Sequence, residues 1–231
     1  MVGSAALSQP ACASISAPGT FGAMAGDPGS DTTDHEYTER LIKLTGVGWK
    51  QKLDVQRPYR WNLRRLMGDR RVLDVGCGIG RNLTALHPDS VGVDHNRYSV
   101  AHCRSLGLHA YTPDELTSAE LGTFDGMLMA HFVEHLAPGE EARVIEAYLP
   151  YLVPGSVVLL ICPQERGFAS DSTHTTFFDI GKLSALCEQL SLNVVRALSF
   201  PFPQIVGRLF VYNEFVVVAT TGPARDGTGP G

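Results

Sequence analysis

Hydrophobic and polar positions follow two alternating patterns from about residue 70 to residue 221. Short runs rich in β-branched residues, typical of buried strands, are separated by segments with apolar residues at helical spacing. Seven strands are predicted, with the sequences RRVLDVG, SVGVDH, LHAYT, FDGMLMA, SVVLLICP, NVVRALSF and EFVVVATT. Strands that alternate with helices indicate a mostly parallel sheet that is covered on both faces.

Five helices are predicted between these strands, with the sequences RNLTALH, RYSVAHCRSLG, DELTSAELG, EEARVIEAYLPYLVPG and DIGKLSALCEQL. The last two strands have too few residues between them for a helical crossover of ordinary length, so we expect them to pair antiparallel. The predicted fold class is therefore α/β. It is a Rossmann-like doubly wound sheet of seven strands, mostly parallel, with an antiparallel C-terminal hairpin.

The ends of the chain differ in composition from its centre. Residues 1–36 are rich in Ala, Ser, Gly and Pro and lack a periodic apolar face, which predicts a disordered tail. Residues 37–221 are expected to form one domain with an N-terminal helical cap, and residues 222–231 a flexible end. Met1 and Met24 both remain candidate start sites. No segment has about 18 consecutive apolar residues, so no membrane span is expected.

Charge and cysteine content narrow the function classes. The formal net charge is −5 and no block of Lys and Arg stands out, which argues against a nucleic-acid partner. The five cysteines include no C-x-x-C pair, so neither a disulfide framework nor a cysteine zinc site is predicted. We expect a cytoplasmic protein, and the sequence leaves its oligomeric state open.

The first candidate for chemistry is VLDVGCGIGRNL, a glycine-rich turn directly after a buried strand. Such a turn lets backbone N–H groups approach a ligand closely. The spacing is G-x-G-x-G, whereas a dinucleotide fingerprint needs G-x-G-x-x-G. The negative charge of Asp74, two residues before the first glycine, would repel a pyrophosphate but attract a cation. Asp94 falls at the end of the second strand, where such folds bind a ribose. A positively charged cofactor that carries a ribose is the joint interpretation.

The motif VLDVGCGIG is followed by Asp94, and the fourth strand runs into EHL. With these features, residues 60–220 resemble the class I S-adenosylmethionine-dependent methyltransferases of the small-molecule subgroup. The resemblance implies S-adenosyl-L-methionine as cofactor. It implies that Asp74, Gly76 and Gly78 surround the methionine portion and that Asp94 binds the ribose hydroxyls. The other residues assigned to the cofactor site are Cys77, Gly80, His95 and His131. The loop of Pro113, Asp114 and Glu115 is assigned to the adenine, with Asp114 preferred to Glu115.

The segment HFVEHL allows two interpretations. His131, Glu134 and His135 have the H-x-x-E-H spacing of a zinc hydrolase. That interpretation needs both histidines on a continuous helix and a third ligand such as Glu214, which begins a strand predicted at the far end of the domain. We therefore expect no metal and place His131 at the carboxyl edge of the sheet, facing the cofactor. Glu134 and His135 are expected to make structural contacts at a helix start or in a loop.

A second polar cluster, CPQERGFASDSTHTTFFD, follows the fifth strand and suits a substrate loop. His174 in this loop is the preferred catalytic and substrate-binding residue, because an imidazole can accept the proton of a hydroxyl near neutral pH. His131 is the second catalytic candidate. The alternative for His174 is a structural histidine that bonds a neighbouring loop.

The segment before the first strand could cover the cofactor cleft. Tyr59 and Arg60 are candidates to meet the substrate or the cofactor carboxylate. In the alternative interpretation, Trp49 and Trp61 pack beneath the sheet, and a solvated face is formed by Arg57, Arg60, Arg64 and Arg65.

These observations predict a methyltransferase that acts on a small-molecule acceptor, with a hydroxyl oxygen favoured on a natural product, lipid, quinone or sugar. Transfer to N, C or S stays open. The alternatives are a catalytically silent module that binds S-adenosylmethionine and a zinc-dependent hydrolase that uses His131, Glu134 and His135.

Overall fold

A computed structural model of the protein describes residues 38–39 and 57–223 of the 231-residue chain. The predicted tails (residues 1–36 and most of 222–231) and residues 40–56 of the predicted cap lie outside the described residues. Seven strands form one sheet in the order β3-β2-β1-β4-β5-β7-β6. Their bounds are β1 Val72–Val75, β2 Val91–Val93, β3 Ala110–Tyr111, β4 Phe124–Ala130, β5 Leu152–Pro163, β6 Asn193–Phe200 and β7 Glu214–Thr220.

Strand direction divides the sheet into two parts. Strands β1 to β5 pair parallel, and β7 pairs antiparallel with both β5 and β6. The predicted α/β fold class, with a mostly parallel sheet and an antiparallel C-terminal hairpin, is confirmed. Because β7 lies between β5 and β6 and runs opposite to β5, Glu214 pairs with Pro163. The first residue of β7 therefore lies at the edge where β4 and β5 end.

The helices of the described chain are mostly short. Their bounds are α1 Arg57–Met67, α2 Arg97–Ser105, α3 Pro113–Ser118, α4 Glu141–Glu146, α5 Glu165–Phe168 and α6 Ile180–Gln189. Among the described residues no helix is long and apolar enough to span a membrane.

Two helix predictions are wrong in extent. RNLTALH forms only a 3₁₀ turn, Leu83–Ala85, because the Thr84 hydroxyl bonds back to the carbonyl of Arg81 and a proline follows His87. The helix predicted over residues 140–155 ends at Glu146. Pro150 lies in a following 3₁₀ turn, and the chain enters β5 at Leu152.

Alternate residues of the central strands point to opposite faces of the sheet. Met127 and Met129 pack with Leu183 of α6 on one face, whereas Leu128 packs with Leu63 and Met67 of α1 on the other. This is the two-sided cover that the strand and helix pattern predicts. Packing on both faces holds the strands in place. It thereby sets the positions at which the polar loops after the strands begin.

The exposed face of α1 corrects the predicted packing of Trp61. Its side chain is 56% exposed, with the Arg65 guanidinium 5.4 Å from the ring centre, so it does not pack beneath the sheet. Leu63 and Met67 occupy that position instead. Arg64 and Arg65 are exposed as the solvated-face interpretation expects, and Trp49 lies outside the described residues.

Candidate active site

The glycine-rich turn between β1 and the Leu83–Ala85 turn depends on left-handed backbone angles and close packing. Gly76, Gly78 and Gly80 all have positive φ angles, of 76°, 52° and 80°, which favour glycine. A Cβ atom on Gly76 would lie 2.4 Å from the ring of Phe132, so a larger residue does not fit there. The amides of Gly76 and Cys77 both donate to the carbonyl of Val93. The turn is thus anchored to the end of β2.

Asp74 lies in β1 below this turn and is 1% exposed. Within the described part of the chain, neither of its carboxylate oxygens has a hydrogen-bond partner. Burial, with a further contribution from the negative charge of Asp94, raises the pKa of Asp74 from 3.8 to about 8. A buried carboxylate without a partner is costly, and a cationic ligand would relieve that cost.

Asp94 connects the turn to the start of α2. Its Oδ2 accepts a 2.8 Å hydrogen bond from the amide of Gly78, and its Oδ1 accepts one of the same length from the amide of Asn96. His95 Nδ1 lies 3.7 Å from Asp94 Oδ1. Each carboxylate oxygen has a second lone pair, so Asp94 can still accept hydrogen bonds from a ligand. The predicted ribose contact is compatible with this geometry.

The two acids in the first turn of α3 have different roles. Glu115 forms a capping box with Thr112 and a 2.7 Å ion pair with Arg104, which lowers the pKa of Glu115. Its carboxylate is committed to the start of α3. Asp114 is exposed in the same turn. Of the two predicted adenine-side acids, Asp114 therefore has the carboxylate that is not needed to cap α3.

His131 follows β4 directly, as predicted, but its partners were not foreseen. Its backbone has a φ of 55°, an uncommon angle for a residue with a side chain. Nε2 lies 2.8 Å from Glu214 Oε1, and Nδ1 lies 3.3 Å from Glu134 Oε1. The expectation that Glu214 lies far from HFVEHL is wrong, because the antiparallel insertion of β7 brings its first residue to this edge.

These contacts set the charge of the cluster. Desolvation opposes a charged imidazole, but the close contacts with the carboxylates of Glu134 and Glu214 outweigh it and raise the pKa of His131 to about 10. Burial likewise opposes ionisation of Glu134, whereas His131 holds the pKa of Glu134 below its ordinary value. His131 is therefore an imidazolium between two carboxylates at neutral pH, which does not suit it to accept a proton.

His135 and His174 lie together at the same edge, with ring centres 4.8 Å apart. His135 Nδ1 contacts the carbonyl and hydroxyl oxygens of Thr173, at 3.3 and 3.1 Å. His174 Nδ1 lies 2.8 Å from the carbonyl of Phe168, against whose ring it stacks. The loop contact expected for His135 is confirmed. Sequence reasoning did not pair these two histidines, because they are separated by β5 along the chain.

Tyr59 joins α1 to this edge. Its hydroxyl donates a hydrogen bond to the carbonyl of Tyr212, and its ring packs edge-on against Phe200. Burial raises the pKa of Tyr59, with a further contribution from the nearby charge of Glu214. Tyr59 is thus close to the cluster of His131, whereas Arg60 is half-buried one residue further along α1.

Comparison with solved structures identifies the fold. A methyltransferase from Archaeoglobus fulgidus, dependent on S-adenosylmethionine, is similar over 75% of this chain and 98% of its own, at 22% identity and a TM-score of 0.57. Magnesium protoporphyrin IX methyltransferase from Synechocystis, with bound S-adenosylhomocysteine, is similar over 84% of this chain and 98% of its own, at 13% identity and a TM-score of 0.61. This chain has the class I methyltransferase fold.

Not every similar structure is a methyltransferase. A [4+2]-cyclase is similar over 72% of this chain and 81% of its own, at 14% identity and a TM-score of 0.53. No family model matches the sequence, and no curated protein matches it. At these identities the comparisons establish the methyltransferase fold, while the chemistry has to be argued from the site itself.

Two residues that the sequence did not single out belong to this site. Phe132 closes the space above Gly76, and Cys162 donates a 3.5 Å hydrogen bond from Sγ to Glu134 Oε2. Glu214 was weighed only as a remote zinc ligand. A charged residue at the first position of the apolar strand EFVVVATT was the one available signal for it. Phe and Cys are common in ordinary protein cores, so no local pattern marks Phe132 and Cys162 as site residues.

Asp74 makes the stability of the ligand-free protein depend on pH. A carboxyl whose pKa is raised in the folded state favours folding below its unfolded pKa, and this contribution is lost as the pH rises through about 8. Relative to Asp74→Asn, the wild type is expected to lose ~1–3 kcal/mol of unfolding free energy between about pH 6 and pH 9. Denaturant unfolding at both pH values measures this difference.

Asp125→Asn is the matched control, because Asp125 is exposed on β4. Its unfolding free energy is expected to follow that of the wild type across the same pH range. Equal pH dependence of the wild type and Asp74→Asn would show that Asp74 is ionised in the ligand-free protein.

Proposed function

We propose that this protein is an S-adenosylmethionine-dependent methyltransferase that acts on a small-molecule acceptor, with a hydroxyl oxygen as the methylated atom. The observation that carries the proposal is the carboxylate of Asp74, buried without a partner below the glycine turn and next to Asp94. A pair of acids in this position suits a ligand that carries both positive charge and ribose hydroxyls. The fold supports the same ligand.

S-adenosylmethionine supplies an electrophilic methyl group on a positively charged sulfur. The role proposed for Asp74 is to balance positive charge of the methionine portion. Asp94 accepts hydrogen bonds from the ribose, and Gly76 and Gly78 leave room for the ligand beside the backbone. His95 and Asp114 lie at the ends of β2 and β3, on the side proposed for the adenine. This chain would contribute mainly by holding donor and acceptor in line.

The acceptor is proposed to approach from the edge at which β4 and β5 end. His135 and His174 are at that edge, and each ring has its Nδ1 bonded to backbone oxygen. Their Nε2 atoms remain available to a ligand. Nitrogen acceptors that bind while neutral need no such proton-accepting group, whereas a weakly acidic hydroxyl does. This difference supports an oxygen acceptor, and it favours His174 over the already protonated His131 as the residue that acts on it.

The zinc-hydrolase alternative with His131 as a ligand is not supported. It required His131 and His135 on one continuous helix, but Val133–His135 is a 3₁₀ turn and the ring of His131 is bound by Glu134 and Glu214. A protein that binds S-adenosylmethionine without methyl transfer remains the competing function, since a [4+2]-cyclase shares the fold. Turnover with a panel of hydroxylated small molecules distinguishes the two functions.

Asp94→Asn tests the cofactor site. The substitution keeps the shape of the side chain but removes the charge that strengthens hydrogen bonds to ribose, a loss of ~1.5–3 kcal/mol. The affinity for S-adenosylhomocysteine, measured by calorimetry, is expected to fall at least about tenfold. Asp89→Asn is the control, because its side chain is 74% exposed before β2. An unchanged affinity in folded Asp94→Asn protein would place the ribose elsewhere.

His174→Ala tests the acceptor side. Turnover of a hydroxyl acceptor is expected to fall about 100-fold or more if the imidazole acts on that hydroxyl. The affinity for S-adenosylhomocysteine is expected to stay within about threefold, or ~0.6 kcal/mol, because His174 would not touch the cofactor. His109→Ala, an exposed histidine before β3, is the matched control. A nearly silent His174→Ala variant would return His174 to a structural role in its loop.

A further inference from the structure

Three side chains with metal-binding atoms converge at the acceptor edge: Glu134, His135 and His174. One potential ligand atom from each lies within 4.8 Å of the others. Glu134 and His135 are in the 3₁₀ turn after β4, and His174 is in the loop between α5 and α6. The backbone of Thr175 binds this loop to the turn, with its amide 2.8 Å from the carbonyl of Glu134.

The hydrogen bonds of His135 define which of its nitrogens is free to bind a ligand. The Thr173 hydroxyl donates its hydrogen to Asp171 Oδ1 at 2.8 Å, so its oxygen can only accept from His135 Nδ1. The Thr173 carbonyl, also near Nδ1, is likewise only an acceptor. Nδ1 must therefore carry the hydrogen. In the neutral ring this leaves the lone pair on Nε2.

His174 has the same arrangement. Its Nδ1 donates to the carbonyl of Phe168 at 2.8 Å, because a carbonyl oxygen cannot donate. The neutral ring again presents the lone pair of Nε2. A ligating histidine that donates its other ring N–H to a backbone carbonyl is the usual outer-shell arrangement of metal sites, because it fixes the tautomer and the ring orientation.

The third side chain is a carboxylate that is buried and incompletely bonded. Glu134 is 0% exposed, and its Oε2 accepts a hydrogen bond from the thiol of Cys162. Among the described residues, its Oε1 has no hydrogen bond of acceptable geometry, although His131 Nδ1 lies 3.3 Å away. A buried carboxylate oxygen in this state is available as a ligand next to the two imidazoles.

We propose that Glu134, His135 and His174 bind a divalent transition-metal ion, for which Zn²⁺ is the best match. Two imidazole nitrogens and one carboxylate oxygen form a common catalytic zinc ligand set, which leaves the fourth position for an oxygen ligand. Hard ions such as Mg²⁺ prefer oxygen ligands alone and fit this set less well.

The donor atoms need to move only a short distance to bind such an ion. Ligand atoms of tetrahedral zinc, with bonds of about 2.0–2.1 Å, lie roughly 3.3 Å apart. Atoms that are now within 4.8 Å of one another would have to approach by at most about 1.5 Å to reach this spacing. The surrounding carboxylates also permit a cation, because Glu214 remains a partner for His131 and Asp171 adds a carboxylate behind His135.

The proposed ion would add a binding group for the acceptor to the proposed function. Its open position suits the hydroxyl oxygen of the acceptor, and a bound ion would make the hydroxyl proton easier to release to water. His174 would then hold the ion and would not itself accept the proton. This role rests on the proposed methyl transfer, but metal binding itself does not. The binding experiment therefore needs neither acceptor nor turnover.

The test uses the full-length chain without an affinity tag, stripped of metal by a chelator. Calorimetry with Zn²⁺ and the visible absorption of Co²⁺ as a stand-in are expected to show one tight site. His174→Ala is expected to weaken Zn²⁺ binding at least about 100-fold, more than the ~10–100-fold typical of outer-shell changes. Asp171→Asn, which changes the carboxylate that accepts the hydrogen of the Thr173 hydroxyl, is expected to fall within that outer-shell range.

His109→Ala is the matched control and should bind Zn²⁺ within about threefold of the wild type. Glu134→Gln is a second ligand variant. Because Glu134 is fully buried, circular dichroism has to show that this variant folds. If it does not fold, alanine variants of the half-exposed His135 and His174 still test the site. Equal Zn²⁺ affinity of the wild type and folded His174→Ala would overturn the proposal, as would the absence of a site in the wild type.

The two proposals can fail separately. Asp94→Asn touches none of the three ligands, so it is expected to bind Zn²⁺ like the wild type while losing affinity for S-adenosylhomocysteine. A wild type that binds S-adenosylhomocysteine but no Zn²⁺ would overturn the metal site alone and leave His174 as the proposed proton acceptor.

Discussion

The parallel hydrogen bonding of β1 to β5 brings the carboxyl ends of these strands to one edge of the sheet, and the proposed functional groups depend on that constraint. The glycine turn follows β1, the His131 to His135 segment follows β4, and the loop of His174 follows β5. The antiparallel β7 adds Glu214 to the same edge from the opposite direction. A reversed β7 would leave His131 with one carboxylate partner and remove the charge balance of the cluster.

The charged groups at the two ends of this edge differ in their partners. At the glycine turn, Asp74 is buried without a described partner beside a second acid, so it is primed for a ligand that brings positive charge. Beyond β4, the carboxylates of Glu134 and Glu214 contact both ring nitrogens of His131. The first arrangement is costly until a ligand binds, whereas the second is internally balanced. This contrast separates a proposed cofactor side from a proposed acceptor side.

Hydrogen bonds to backbone carbonyls hold the acceptor side in place. The Thr175 hydroxyl bonds the carbonyls of Glu134 and Leu136, and the carbonyl of Phe168 orients the ring of His174. The polar loop after β5 is thus tied to the turn after β4 at several points. Such pre-orientation reduces the cost of bringing side chains into position when a ligand binds.

The sequence by itself determined the strand and helix pattern, the parallel sheet with its antiparallel end, and the glycine turn with Asp74 and Asp94. These features follow from local periodicity and from residues whose backbone preferences act locally. It also placed His131 and His174 at one sheet edge, because both follow parallel strands. It misjudged the length of two helices at prolines, the exposure of Trp61 and the position of Glu214. Only the tertiary structure decided which side chains meet: His131 with Glu214, 83 residues away, and His135 with His174 across β5. Such pairs depend on strand order and side-chain direction, which no local pattern of residues encodes.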